Sequence, residues 1–338
     1  MKAREYWLDY LRAFACILVT VGHLLMSLQD SQIIRQSVGV TTFVGLIYFF
    51  HVYIFFFCSG YLFQASKNSA VYSLRYRIEK CVNFLMLYVV FTCITYFMKI
   101  VFSTTVNSAV EDTLLDTLLK YPVNQMWYLY AISVVFLFST FIASDKVAYT
   151  ILGVAIFFKL LCVWDVDWLL PLPASYLLQN MIWFVLGQFF AYKQIKLSTR
   201  STLLLALLFV VAFVYRCVFD FAIGFCDEML TLLGITASAG IVYNLTRNKT
   251  AVTGMWKYLS KYMLQIYLLH TIFAAGIRVV LLKFGITAVV PHVLLGIIFS
   301  FVMPILCAMI AERITLLNFF FFPLQTIKKF VLRKRFFK

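Results

Sequence analysis

The chain consists of long apolar runs that are separated by short polar segments. Of its 338 residues, 63% are hydrophobic and only 13% are charged, whereas a soluble protein has about 25% charged residues. The runs are long enough to be membrane-crossing helices, and they lack the alternation of apolar and polar residues that a membrane β-barrel requires. The first run is too long for a signal peptide, so we interpret it as a retained helix. The sequence therefore predicts an all-α integral membrane protein.

About ten helices are predicted to cross the membrane, because ten segments are apolar over the required length. They cover residues 6–28, 40–63, 81–103, 125–143, 147–164, 174–192, 202–219, 229–246, 261–280 and 288–311. An even number of crossings places the two termini on the same side of the membrane.

The distribution of lysine and arginine predicts which side that is. With the N-terminus in the cytoplasm, the cytoplasmic segments contain 21 of the 29 basic residues and the outer segments contain six. Cytoplasmic segments of membrane proteins are enriched in these residues, so both termini are predicted to be cytoplasmic. The same enrichment accounts for the net charge of +15, and no nucleic-acid partner is expected.

The sequence predicts two regions. Residues 1–316 are expected to form one membrane domain, and residues 317–338 a basic, aromatic tail. This tail combines aromatic residues with six cations, a composition that binds the interface of an anionic bilayer. The eight cysteines have no CxxC or Cys/His ligand spacing, so we interpret them as small buried hydrophobic residues and predict no metal site.

Arg12 and His23 are ionisable residues within the first apolar segment. They are eleven positions apart, which on an α-helix puts both side chains on nearly the same face and roughly 16 Å apart along the axis. Ionisable groups inside a membrane are costly and are rarely kept without a use. Two structural interpretations stay open: Arg12 can pair with Asp9 one turn earlier, and a helix carbonyl freed near Thr20 can satisfy His23.

The second predicted helix contains three further candidates. His51 lies in the middle of the span, whereas Ser59 and Gly60 lie near its cytoplasmic end. Because Gly60 has no side chain, either the backbone of another helix or a ligand can approach it closely. Ser59 and Gly60 are therefore candidates for donor binding or for helix packing, and His51 is a candidate for substrate contact.

A basic cluster precedes the third predicted helix and consists of Arg75, Arg77 and Lys80. Guanidinium groups match the geometry of phosphate oxygens. The cluster is a candidate phosphate site, and ordinary cytoplasmic positive charge is the alternative.

A polar and aromatic cluster opens the fourth predicted helix from the outer side. It consists of Asn124, Gln125, Trp127 and Tyr128, and side chains of this kind can contact sugar hydroxyls and ring faces. The alternative is the aromatic belt that borders any membrane span. His270, near the middle of the ninth predicted helix, is a second candidate for substrate contact.

Four segments of the sequence resemble acyltransferase family 3, a family of membrane O-acyltransferases. The segment LDYLRAFACILVTVGH is similar to the family pattern in which an arginine precedes a Gly-His pair. FHVYIFFFCSGYLF at 50–63 resembles the pattern FH-x-x-x-FFF-x-SG-[FY]. MWYLYAI at 126–132 and LSKYMLQIYLLH at 259–270 resemble two later elements. The second segment is most similar to the sugar O-acetylase and biofilm-polysaccharide branch.

The resemblance implies a reaction and a location. The donor would be acyl-CoA, in the first place acetyl-CoA, on the cytoplasmic side of the inner membrane. The acceptor would be a hydroxyl of a cell-surface or lipid-linked glycan of the cell envelope. His23 would be the essential base and Arg12 the essential cation. The family commonly has an Arg-x-x-Arg element before the third helix, from which Arg77-Ile-Glu-Lys80 departs.

A polysaccharide exporter or transporter is the alternative function. Its central arginine and histidine would line a passage for the transported glycan. Release of free thiol from acyl-CoA by the purified protein would distinguish an acyltransferase from a transporter.

Overall fold

A computed structural model describes residues 5–35, 37–66, 69–102, 112–120, 122–164, 170–219 and 224–328. Over these ranges the chain forms α-helices joined by short turns, with no β-strand. The helices are α1 (Tyr6–Asp30), α2 (Val38–Tyr48), α3 (Tyr53–Ala65), α4 (Leu74–Val101), α5 (Leu114–Leu119), α6 (Trp127–Phe138), α7 (Asp145–Val163), α8 (Leu172–Lys193), α9 (Thr199–Phe219), α10 (Gly224–Thr246), α11 (Gly254–Lys261), α12 (Met263–Lys283), α13 (Val289–Arg313) and α14 (Thr315–Phe321). The predicted all-α membrane class is confirmed.

Within the described ranges, eight stretches are long and apolar enough to cross a membrane. They are α1, the stretch Val38–Ala65, α4, α7, α9, α10, α12 and α13. The two other predicted spans are helical but differ from these eight. The 12 residues of α6 extend only about 18 Å, which is shorter than the hydrocarbon core of about 30 Å. The 22 residues of α8 are long enough, but they include the buried polar residues Asn180 and Gln188.

Both termini are still expected to face the cytoplasm, because basic residues concentrate in the segments assigned to that side. A reporter enzyme that is active only outside the cytoplasm should be inactive when fused after Lys338. The same reporter fused after Arg35, in the first outer segment, should be active. The opposite activities would contradict the predicted orientation.

The chain divides into two compact units. Unit 1 comprises Met1–Met26, Arg35–Lys67 and Phe141–Met263. Unit 2 comprises Ser27–Ile34, Asn68–Thr140 and Leu264–Lys338.

In unit 1, α3 and α8 pack against each other through two glycines. A Cβ atom on Gly60 would overlap the backbone carbonyl of Phe184, and one on Gly187 would overlap the backbone carbonyl of Phe57. Small residues let helix backbones approach closely in a membrane. Gly60 is therefore a helix-packing position, one of the two interpretations that the sequence left open.

Gly60→Ala is expected to destabilise the folded protein by about 1–3 kcal/mol, because an added methyl group would force two backbones apart. Gly153→Ala is the matched control, since a Cβ on Gly153 of α7 would have no atom within 4 Å. Thermal unfolding in detergent should give a lower Tm for Gly60→Ala than for Gly153→Ala. Equal Tm values would contradict the close backbone contact.

An ion pair joins α7 to α10 inside unit 1. The Lys159 Nζ atom lies 2.7 Å from a carboxylate oxygen of Glu228 and donates to the Gln179 carbonyl at 3.1 Å. Its ammonium also lies 5.7 Å from the ring centroid of Trp183. A charge inside a membrane protein needs such partners, so these contacts account for a lysine within a predicted span.

In unit 2, α12 contains a buried arginine, Arg278. Its guanidinium donates to the Ser27 hydroxyl at 2.6 Å and to the Ser27 carbonyl at 3.0 Å. Two neutral oxygens compensate part of the cost of burying the charge.

The second predicted span, 40–63, is not one continuous helix. It is interrupted at residues 49–52, between α2 and α3. The amides of Phe50 and His51 both donate to the Ile47 carbonyl, at 3.3 and 3.1 Å, which tightens the chain into a turn. Irregular backbone is tolerated within a membrane where protein surrounds it, and Phe50, His51 and Val52 are buried. No residue type marks this turn in the sequence, because residues 49–52 include neither proline nor glycine.

Candidate functional site

Arg12 and His23 both lie on α1, as predicted. The His23 ring contacts α2: its Nδ1 atom lies 3.1 Å from the hydroxyl oxygen of Tyr48, and the two ring centroids are 5.6 Å apart. The side chain of His23 is half-buried. Tyr48 was not among the residues singled out from the sequence, because nothing in its local pattern marks it.

The contact between His23 and Tyr48 has two chemically distinct forms. If the Tyr48 hydroxyl donates, Nδ1 of His23 is the acceptor and Nε2 carries the ring proton. If Nδ1–H donates to the Tyr48 oxygen, Nε2 has a lone pair and can accept a proton. The partner of one ring nitrogen thus sets the chemistry of the other.

Gly22 explains how Tyr48 can lie so close to α1. A Cβ on Gly22 would lie 3.1 Å from the Tyr48 ring and 3.3 Å from Ile47. Both distances are tighter than ordinary van der Waals contact. The Gly-His pair thus combines the histidine with the space that its aromatic neighbour needs.

His51 lies beside the same group. Its ring centroid is 4.7 Å from that of Tyr48 and 6.3 Å from that of His23. Its Nδ1 atom lies 2.8 Å from the Ile47 carbonyl, and a carbonyl can only accept, so Nδ1 carries the proton. His51 lies three positions after Tyr48, so the two rings are neighbours as on a helix, and both lie near the His23 ring.

Arg12 forms an ion pair with Asp9 one turn earlier on α1, the structural interpretation that the sequence left open. Asp9 is buried, and the Arg12 side chain is partly exposed. The Arg12 Nε atom is buried and has no hydrogen-bond partner among the described residues. The guanidinium thus retains a donor beyond its pair with Asp9.

The remaining donor-binding candidates lie in different parts of the chain. Ser59 is half-buried on α3 in unit 1. In unit 2, Arg75 is exposed and lies 3.4 Å from Glu79, and the Lys80 ammonium lies 5.5 Å from the centroid of the Tyr76 ring. Their role in donor binding stays a prediction.

Arg77 has a structural partner that the sequence did not predict. Its guanidinium donates to the carbonyls of Leu137 and Ser139, at 3.1 and 2.5 Å. These carbonyls lie at the end of α6, where helical acceptors lack donors from their own helix. Arg77 therefore caps α6 within unit 2.

The outer aromatic cluster meets α12 within unit 2. The Gln125 side-chain amide donates to the Thr271 hydroxyl at 3.0 Å, and the Tyr267 hydroxyl donates to the Gln125 carbonyl. The ring centroids of Tyr128 and Tyr267 are 5.5 Å apart. Tyr267 and Thr271, which the sequence reasoning missed, share one helix face because they are four positions apart.

His270 lies near this cluster. Its Nδ1 atom is 2.9 Å from the carbonyls of both Ile266 and Tyr267, and its side chain is buried. Trp127 is half-buried, and the side chain of Asn124 lies outside the described residues. The structure thus brings Gln125, Tyr128 and His270 around Tyr267.

Comparison with known proteins gives one match. The family model described as an acyltransferase domain, that of acyltransferase family 3, matches residues 5–312. No curated protein and no solved structure matches the chain. The matched region includes α1, the interruption at residues 49–52, and α12.

Proposed function

The chain belongs to acyltransferase family 3 and is a multi-pass membrane acyltransferase; from this premise we propose that it transfers an acetyl group from cytoplasmic acetyl-CoA to a hydroxyl of a glycan. The acceptor is a cell-surface or lipid-linked glycan, and the membrane is the inner membrane of the cell. The proposal rests on the ionisable pair of α1 and on the contact between His23 and Tyr48.

In the proposed reaction, His23 is the general base. The acceptor hydroxyl attacks the carbonyl carbon of the thioester while Nε2 of His23 takes the hydroxyl proton. A carbon–oxygen bond forms, the carbon–sulfur bond breaks, and the proton passes from His23 to the CoA thiolate. The products are an acetyl ester and free CoA. No acyl-enzyme is required, so Ser59 is not assigned a nucleophilic role.

The contact with Tyr48 is the single observation that best supports this role. A base at Nε2 needs the ring proton on Nδ1, and the Tyr48 oxygen lies within hydrogen-bond distance of Nδ1. When His23 takes the second proton, the bond from Nδ1–H to Tyr48 becomes charge-assisted and strengthens. The hydrogen bond therefore stabilises the transition state more than the ground state, as catalysis requires.

Arg12 is proposed to bind a phosphate group of the donor. The axial separation between Arg12 and His23 is roughly 16 Å, which is similar to the reach of a pantetheine arm. The Arg12 side chain is partly exposed and can make this contact, while its pair with Asp9 fixes the direction of the guanidinium.

The acceptor is proposed to contact the cluster of unit 2. Aromatic faces and amide groups recognise sugar rings and hydroxyls, and Gln125, Tyr128 and His270 lie together there. Trp127 borders the same helix end, and Asn124 precedes it in sequence. His51 is proposed to contact the acceptor hydroxyl beside His23.

An acetyl-transfer assay tests the proposed function. The native gene is deleted from the source cells, and the protein is expressed from an added copy. Membranes from these cells are supplied with acetyl-CoA that is radiolabelled in its acetyl group. We expect label in the glycan fraction and an equivalent amount of free CoA thiol. Glycan movement without thiol release would contradict the proposal and favour a transporter. Mass spectrometry of surface glycans with and without the gene identifies the acceptor.

Arg75→Ala is expected to raise KM for acetyl-CoA about threefold to tenfold and to leave kcat within about twofold, because a phosphate contact is kept from ground state to transition state. Arg75 is the cleaner test of the basic cluster, since its side chain is 88% exposed whereas Arg77 caps a helix. Arg313→Ala, an exposed change in the same unit, should alter neither constant. An unchanged KM with a large fall in kcat would contradict the phosphate role.

A further inference from the structure

The interruption between α2 and α3 is held from α10, within unit 1. The Thr231 hydroxyl donates to the Phe49 carbonyl at 2.8 Å. Three residues further along α10, a Cβ on Gly234 would lie 2.6 Å from the Phe50 ring. Two successive residues of the interruption thus contact one face of α10, since positions three apart on a helix are neighbours.

A carbonyl within a membrane needs a donor. In a continuous helix the Phe49 carbonyl would accept from the amide four residues later, but the chain turns at this point. Water is excluded from the hydrocarbon region, so an unsatisfied carbonyl there is strongly disfavoured. The Thr231 hydroxyl supplies a donor from another helix and so favours the interrupted conformation.

We infer that Thr231 and Gly234 are positioning residues for the His23 group. They contact Phe49 and Phe50, the two residues between Tyr48 and His51, and so hold the rings of Tyr48 and His51 near His23. This inference rests on the proposed function, because it assigns the two residues a part in the same reaction. Neither residue touches the substrate in this role; they act through Tyr48 and His51.

Thr236 provides an internal comparison on the same helix. Threonine hydroxyls in helices commonly bond to a carbonyl of their own helix, and the Thr236 hydroxyl donates to the Leu232 carbonyl at 2.7 Å. The Thr231 hydroxyl has one hydrogen and shares it between such a carbonyl, that of Asp227 at 2.9 Å, and the Phe49 carbonyl at 2.8 Å. The two side chains are 4% and 7% exposed, so they differ mainly in the contact with the interruption.

Thr231→Val tests the inference because it removes the hydroxyl and keeps the shape. We expect kcat to fall about fivefold to twentyfold in the acetyl-transfer assay, with KM for acetyl-CoA within about twofold, since the donor contacts are unaltered. Thr231→Ser keeps a hydroxyl and should recover most of the activity. Thr236→Val is the matched control and should behave as the wild type. Equal effects of Thr231→Val and Thr236→Val would overturn the inference.

A double substitution shows whether Thr231 acts through Tyr48. If it does, Thr231→Val should lower kcat by no more than about twofold in a Tyr48→Phe background, because the contact it supports is already lost. If the fold-losses of the two single variants multiply in full, Thr231 does not act through Tyr48, and that part of the inference is overturned.

Hydrogen exchange gives a measurement that does not depend on activity. Amides of residues 49–55 should exchange faster in Thr231→Val than in Thr231→Ser or Thr236→Val, because the interruption opens more readily. Unchanged exchange would overturn the inference even if the enzyme is active. A wild-type protein that releases no CoA thiol would instead contradict the proposed function, while the exchange rates still test whether α10 holds the interruption.

Discussion

His23→Gln is expected to lower acetyl transfer by about 10²–10⁴-fold, the usual contribution of a general base. Glutamine keeps approximate size and can form hydrogen bonds, but it cannot take the proton from the acceptor hydroxyl. The substitution should leave KM for acetyl-CoA nearly unchanged, because other residues are proposed to hold the donor. The acetyl-transfer assay at matched expression measures the effect.

His292→Gln is the control for this substitution. His292 is buried on α13 and its Nε2 lies 2.9 Å from the Ile286 carbonyl, a contact that a glutamine amide can replace. It has no proposed role, so activity should stay near that of the wild type. If His23→Gln retained near wild-type turnover, His23 would be structural and His51 or His270 would become the leading candidate base.

The position of Arg12 and His23 could be predicted from sequence because it depends on local structure alone. A continuous apolar run forms a helix in a membrane, where backbone hydrogen bonds must be satisfied internally. Helical geometry then fixes the spacing of the two side chains. The structure confirms that both lie on α1.

The partners of His23 could not be predicted in the same way. Tyr48 and His51 meet His23 through packing of their segment against α1, and no residue in the interruption at residues 49–52 favours a turn. Thr231 donates to this turn from 182 positions away in the sequence. Such a contact is tertiary, and a single sequence contains no local signal for it.

Arg77 has a clear signal in the sequence, but its partner in the structure is not the predicted one. Its position beside other cations predicted a phosphate site, but its guanidinium donates to two carbonyls at the end of α6. Charge pattern reveals that a cation is present, and it does not reveal which acceptor the cation meets. Arg77→Ala would therefore combine a loss of helix capping with any effect on donor binding, whereas Arg75→Ala would not.

Tyr48→Phe is expected to lower kcat by about 10–100-fold. It removes the hydroxyl that lies 3.1 Å from Nδ1 of His23 and keeps the ring that packs against Gly22. A hydrogen bond to a charged group contributes about 1.5–3 kcal/mol, and His23 is charged when it holds the acceptor proton. Each 1.4 kcal/mol corresponds to about tenfold in rate. KM for acetyl-CoA should change little, because the bond strengthens only as the proton moves.

Tyr61→Phe separates this effect from the general loss of a buried phenol hydrogen bond. The Tyr61 hydroxyl donates to the Glu5 carboxylate at 2.7 Å, in the same unit but in a different contact. Both variants lose one hydrogen bond, and only Tyr48→Phe alters the surroundings of His23. Equal kcat values for the two variants would show that Tyr48 does not set the protonation of His23. A large fall confined to Tyr48→Phe would support Nδ1–H donating to Tyr48, because only that form leaves Nε2 able to act as the base.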